Sequence, residues 1–283
     1  MNSVAKKIRW SRFLNRQSGR GLIVPIDHGL TMGPIPGLDS LSRIESWILH
    51  PGITGVIAHK GMVERLGARG LLRGQGIMLH VNGMTTLAPA PDSKELLTSV
   101  ERAVRLGVDA ISLQINFDGK NDAHNLRLLG AVADEADRFG LPVLTMLYDK
   151  VKSSQPEQSL RRLRHLVRAS VELGTDALKL GAPEELSLIP ALLDGVQEHT
   201  AVFFAGGEKC EDEELLELAR SVALYGASGL CVGRNVFQRE NAAAILNRLQ
   251  QAVLEDSGLP PSRSPFTDPG QQPGRLALRV AND

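Results

Sequence analysis

Eight short apolar runs punctuate the chain: GLIVPID (21–27), TGVIAHK (54–60), IMLHVNG (77–83), AISLQIN (110–116), PVLTMLY (142–148), ALKLG (177–181), VFFAGG (202–207) and GLCVGRN (229–235). Between most of them lie stretches with helical spacing of apolar residues, such as SKELLTSVERAVRLG, AHNLRLLGAVADEADRFG, SLRRLRHLVRASVELG, DEELLELARSVALYG and NAAAILNRLQQAVLED. Glycine follows the last apolar residue of several of these, the expected helix stop. Strands alternating with helices require parallel pairing through right-handed crossovers. For 283 residues with no second-domain break, the predicted α/β fold is a single-domain (β/α)8 TIM barrel. A doubly wound open sheet is the structural alternative, but no Gly-rich dinucleotide fingerprint follows the first strand.

AISLQIN supports the barrel in detail, because its alternation separates Ser112, Gln114 and Asn116 from Ile111, Leu113 and Ile115. In a barrel the apolar face meets the helices and the polar face points inward. Gln114 and Asn116 then either bind substrate or bond one another in a polar layer. Residues 1–20 read as an N-terminal capping helix, 21–255 as the barrel, and 256–283, rich in Pro, Gly and Ser, as a mobile tail in which only LALRV could pack.

Composition narrows the function. Lys+Arg and Asp+Glu both number 32, so nothing in the charge favours nucleic acid or an anionic membrane as partner. The longest apolar runs are about seven residues, against the ~20 that span a bilayer. The basic N-terminus has no apolar core ahead of a cleavage site, so no secretory signal is expected. The two cysteines, Cys210 and Cys231, form no framework and read as buried thiols in a reducing cytoplasm.

The chemistry gathers at strand ends, where barrels of this kind carry their sites. Lys179 lies inside the apolar run ALKLG, and Tyr148 closes the run before it. A lysine there either snorkels, joins an ion pair, or is neutralised by burial. In the last case its pKa falls about three units from ~10.4, and amine and phenol together can attack a ketone and shuttle protons around the imine. Asp27 and His28 close the first run; Asp27 reads as a proton carrier or as a turn residue. FAGGEK and CVGRN, at the seventh and eighth strand ends, offer Gly206, Gly207, Gly233 and Arg234 as a phosphate site built from backbone N–H groups, or as plain turns. His28, His59 and His80 sit on separate strand ends with no carboxylate at metal-ligand spacing, so neither a metal nor any other cofactor is expected.

DHG…GPIPGL, TTLAPAPDSK, LGVDAISLQIN, LYDK, ALKLG, AGGEK and VGRNVFQ, in this order, resemble the archaeal-type class I aldolases. That family includes fructose-bisphosphate aldolases and 2-amino-3,7-dideoxy-D-threo-hept-6-ulosonate synthases, and the motifs look closer to the synthases. The resemblance implies a (β/α)8 barrel and a homo-oligomer. It assigns the Schiff-base lysine to Lys179, the acid/base tyrosine to Tyr148, the first-strand aspartate to Asp27, and phosphate binding to Gly206, Gly207, Gly233 and Arg234. It further implies a phosphorylated ketose or ketone donor and an aldehyde such as aspartate semialdehyde. The alternatives are fructose-bisphosphate cleavage, acyl transfer from a phosphorylated diketone, and a phosphosugar-binding barrel without catalysis. Two positions depart from the family: Asp149-Lys150-Val151 replaces Pro-Arg-Gly, and Gln114 replaces a strand-four histidine. Both bear on which substrate is taken.

Overall fold

The computed structural model describes residues 3–151, 153 and 155–255; the tail expected at 256–283 lies outside them. Eight parallel strands close a barrel: β1 (Gly21–Pro25), β2 (Gly55–Ala58), β3 (Gly76–His80), β4 (Ala110–Phe117), β5 (Val143–Asp149), β6 (Ala177–Gly181), β7 (Ala201–Ala205) and β8 (Gly229–Cys231). Each strand pairs with its neighbour in sequence, and β8 returns to β1 through Gly21–Gly229 and Ile23–Cys231. The single-domain barrel read from the sequence is the fold observed.

Period-two alternation sorts the strand residues into two cores. Ile111, Leu113, Ile115 and Phe117 join the layer beneath the helices. Ile57, Met78, Ala110, Leu144 and Phe203 fill the barrel with two residues from outside it, Trp10 and Phe13. These come from helix Val4–Trp10 and the turn Ser11–Phe13, and both are fully buried. A Cβ on Gly55 or Gly76 would stand 2.5 or 2.7 Å from the Phe13 ring, so β2 and β3 begin with glycine because an aromatic occupies that space. Lys6, bonded to Asp176 at 3.0 Å, anchors the helix there. The strand N-termini are thereby plugged, leaving the opposite end open for a site.

One predicted helix is mostly not helical. Of 93–107, only Val100–Leu106 coils, with the Ser99 hydroxyl accepting from Arg102 N–H at 3.2 Å as its cap. The preceding residues run extended: Glu95–Leu96 pairs antiparallel with Asn82–Gly83, and Leu97 and Thr98 both donate to the Val81 carbonyl. The serine cap fixes where coiling starts, and the pairing to 82–83 draws the earlier segment over the barrel mouth. The final helix, Ala242–Leu249, ends in a π-turn over Gln250–Glu255. Among the described residues no helix is long and apolar enough to cross a membrane.

Candidate active site

Lys179 points into the barrel from β6, level with Met146 on β5 and Phe203 on β7, and is 6% exposed. Tyr148 lies on the same inward face of β5, two residues and so roughly 7 Å nearer the mouth. Both line a cavity of about 860 Å³ that reaches His28, Gly207, Cys231 and Arg234.

Neutralisation by burial is one of the roles the sequence leaves open to Lys179. The structure gives the opposite direction. Burial does oppose the charge, but Cys231, Tyr148 and Asp27 outweigh burial and Arg234 and hold the ammonium above the ordinary lysine range. The Cys231 thiol is inward on β8, in hydrogen-bond contact with Lys179, and pushed up to about 11 by its burial. It is therefore neutral at pH 7, and the charge facing Lys179 in the working range is the carboxylate of Asp27.

Asp27, just beyond β1, is the centre of a second cluster. Its Oδ1 stands 3.4 Å from His28 Nδ1 and its Oδ2 stands 3.7 Å from His80 Nε2. His80 ends β3 and shares a hydrogen bond of 2.9 Å between Nδ1 and the Ser112 hydroxyl. His59, just past β2, contacts the His80 carbonyl through Nδ1 at 3.1 Å and meets the His80 ring edge to face at 5.1 Å. Burial pushes the His80 pKa down to about 3 and those of His28 and His59 below the ordinary range, with Asp27 opposing in each case. Although burial works to raise the Asp27 pKa, the surrounding imidazoles and Lys179 bring it down to about 2. At neutral pH the cluster is thus one carboxylate among uncharged imidazoles, with the Lys179 ammonium as counter-ion. Among the described residues, no group of three or more His, Cys, Asp or Glu is arranged to hold a metal ion.

The four proposed phosphate residues differ in what they do. Gly207 has φ +67° and nothing within 4 Å of an added Cβ, so its freedom serves the turn and leaves space above it. Gly233 is packed: a Cβ would stand 2.7 Å from the Pro25 carbonyl and 2.8 Å from the His28 ring. Arg234 begins the short helix Arg234–Phe237 and pairs with Glu208 at 3.4 Å. Asn235, which the sequence reading passed over, staples the two loops together. Its Nδ2 donates to the Gly206 and Glu208 carbonyls at 2.8 Å, and its Oδ1 accepts from Cys210 N–H at 3.0 Å.

Gln114 and Asn116 are not among the residues lining the cavity, and they bond one another. Gln114 donates to Asn116 at 2.9 Å, and Asn116 donates to the Asp92 carbonyl at 3.0 Å and carboxylate at 3.2 Å. Asn82 clamps the Gln114 backbone through two bonds, of 2.7 and 2.8 Å. In the divergent loop, Asp149 turns away to Arg162, whose Nε reaches both carboxylate oxygens at 2.9 and 2.8 Å. Lys150 remains at the mouth, 3.4 Å from Asp92 and 5.8 Å from the Tyr148 ring centre.

A plugged barrel with a buried lysine, a tyrosine and two glycine loops at its open end is the equipment of an imine-forming enzyme. Residues 21–239 match the DeoC/LacD family of aldolases, and the chain belongs to that family. It is a class I aldolase. It is 31% identical over 250 residues to 2-amino-3,7-dideoxy-D-threo-hept-6-ulosonate synthase 1 of Archaeoglobus fulgidus, covering 88% of this chain and 91% of that one. With the 2-amino-4,5-dihydroxy-6-oxo-7-(phosphonooxy)heptanoate synthase of Streptomyces griseus it shares 28% identity over 265 residues, 92% and 94% of the two chains. The fold superposes on a Schiff-base-forming fructose-1,6-bisphosphate aldolase with a TM-score of 0.75 at 26% identity, covering 88% of this chain and 99% of that one.

Proposed function

We propose that the enzyme holds a phosphorylated ketone or ketose on Lys179 and transfers the resulting carbon nucleophile to an aldehyde, with aspartate semialdehyde as the acceptor. The observation that carries this reading is the buried Lys179 opening into one cavity with Tyr148 and Gly207. Deprotonated Lys179 adds to the donor carbonyl, and loss of water from the carbinolamine leaves an iminium. That cation draws electrons from the neighbouring carbon, whose proton or carbon substituent departs to give an enamine. The enamine carbon bonds to the aldehyde carbon, the new alkoxide takes a proton, and hydrolysis frees the product and the lysine. Tyr148 carries the proton to and from the reacting oxygen, assisted by Asp27. Backbone N–H groups at Gly207 and Arg234 bind the donor phosphate, with Gly206 and Gly233 shaping the loops around it.

Carbon count supports this acceptor. Both synthases are named for seven-carbon 2-amino acid chains, and joining a three-carbon unit to aspartate semialdehyde makes such a chain. We place the enzyme in the cytoplasm as a homo-oligomer, in keeping with its free thiols and its family. Fructose-bisphosphate cleavage is the second reading, favoured by the structural likeness to that aldolase. The β5 loop argues against it, since Lys150 is a point charge in place of an arginine fork that suits a second phosphate. Steady-state kinetics decide between them. Carbon–carbon bond formation with aspartate semialdehyde and weak or absent fructose-bisphosphate cleavage are expected. Cleavage at or above about 10⁴ M⁻¹s⁻¹ in kcat/KM, the lower end for ordinary enzymes, would make the sugar aldolase the right reading.

A further inference from the structure

Two kinds of proton move in an aldol reaction: one on oxygen, which falls to Tyr148, and one on the donor carbon beside the iminium. The second needs a base that opens into the cavity and is uncharged at neutral pH. His28 meets both requirements. It opens the short helix His28–Met32 just past β1 and lines the cavity shared by Lys179, Tyr148 and Gly207. Its side chain is 19% exposed, so part of the ring is reached from that cavity. Nδ1 is not that part: it is buried without a hydrogen bond, 3.4 Å from Asp27 Oδ1. Nε2, also unbonded among the described residues, is not buried, so it is the nitrogen presented to substrate. Burial, with Lys179 and Arg234, keeps the ring below the ordinary histidine range despite Asp27, and so neutral at pH 7.

The surroundings set which nitrogen holds the proton. A carboxylate beside Nδ1 draws the ring proton to that side and leaves the Nε2 lone pair free. At 3.4 Å the contact is not a formed hydrogen bond, but catalytic bonds of this kind commonly tighten in the substrate complex. Asp27 is held from its far side, where Oδ2 meets His80 Nε2 at 3.7 Å. Asp27 is not among the residues lining the cavity, so it acts through the ring. The ring is held too, edge to face with Phe237 at 5.3 Å between centres. A Cβ on Gly233 would stand 2.8 Å from its Cε1, so the loop carries glycine where the imidazole lies. His28 thus packs against a loop proposed to hold the donor phosphate, on the wall of the cavity that Lys179 opens into.

We propose that His28 Nε2 is the base that takes the proton from the donor carbon beside the iminium, with Asp27 as the positioning residue behind it. This rests on the aldol reading above and extends it. The C–H electron pair becomes the carbon–carbon double bond, the iminium π pair returns to the Lys179 nitrogen, and the proton moves to Nε2. Asp27 balances the imidazolium that results. Nε2, open to the cavity, then passes its proton to solvent.

Incubating dihydroxyacetone phosphate with enzyme in heavy water, without an aldehyde, isolates this step as deuterium uptake at the hydroxymethyl carbon, read by NMR. Borohydride trapping reads the Lys179 imine in parallel. His28→Gln and His28→Ala should slow uptake by a factor on the order of 10² to 10⁴, the usual range for a general acid/base, with trapping retained. Added imidazole should restore part of the uptake in His28→Ala, which a purely structural role would not allow. Asp27→Asn should slow uptake when His28 is present and add little to His28→Ala, as expected of residues acting as a unit. If His28→Ala lacks a folded thermal transition, His28→Gln, nearer in size, carries the test. Unchanged uptake in the folded His28 variants overturns the proposal, as does a Lys179 adduct without deuterium uptake in the unmodified enzyme. Absence of the adduct removes the aldol reading itself, and the proposal with it.

Discussion

His80 Nε2 stands 3.7 Å from Asp27 Oδ2, while the other ring nitrogen of His80 is held by Ser112 at 2.9 Å. The contact joins the ends of β1 and β3 beneath the reacting centre, and it sets how the enzyme responds to acid. His80 titrates near 6.5 when unfolded and near 3 when folded, so between those values the unfolded chain binds the extra proton. Its stabilising contribution is complete above pH 6.5 and is lost as pH falls toward 3. Asp27, lowered from 3.8 to about 2, contributes above 3.8 and loses that contribution as pH falls through 2. The urea midpoint should therefore fall steadily below pH 6.5, and His80→Gln should flatten the fall between pH 6.5 and 4. Parallel slopes for the two proteins would place the acid sensitivity elsewhere.

The raised pKa of Lys179 makes imine formation depend on a small neutral fraction. That fraction grows about tenfold with each pH unit below the pKa. Single-turnover imine formation should thus accelerate with a slope near one in log rate against pH from 6 to 8. A flat profile across that range would show that the lysine is already neutral in the free enzyme.

Tyr148→Phe removes a phenol held on the inward face of β5 above Lys179. Imine formation should persist, and carbon–carbon bond exchange should slow by a factor on the order of 10² to 10⁴, the usual range for a general acid/base. Unchanged turnover in the Phe variant would make Tyr148 structural and Asp27 the leading proton carrier.

The two glycine loops should respond differently to a methyl group. Gly207→Ala meets no neighbour but disturbs a left-handed turn beneath the proposed phosphate, so it should raise KM for a phosphorylated donor more than for its unphosphorylated analogue. Gly233→Ala drives a Cβ into the Pro25 carbonyl and should lower the melting temperature whatever the donor. Comparable KM changes on both donors for Gly207→Ala would move the phosphate away from this loop.

The barrel was legible because eight apolar runs and their helices repeat with regular punctuation, and the strand-end residues were legible because that fold exposes only one end of each strand to chemistry. Lys179, Tyr148, His28, Gly207 and Arg234 do share one cavity. Partners were harder to read. The placement of Gln114 and Asn116 depends on residues of the segment after β3: Asn82 bonds the Gln114 backbone and Asp92 accepts from Asn116. That segment reads as helix in the sequence, since SKELLTS has apolar spacing compatible with either state, yet only Val100–Leu106 coils. The charge on Lys179 is hard to read for the same reason: burial is visible in a strand's own sequence, while the Asp27 carboxylate arrives from beyond β1. Asn235 gave no periodic signal at all, its role being set by loop carbonyls from β7.

Borohydride reduction with dihydroxyacetone phosphate or a related ketose phosphate, followed by peptide mass spectrometry, tests the covalent role of Lys179 most directly. The donor's mass should appear on the peptide carrying Lys179 and vanish in Lys179→Arg, whose guanidinium is not a nucleophile at neutral pH. Adduct confined to Lys60, Lys94, Lys150 or Lys209, with Lys179 unmodified, would contradict it.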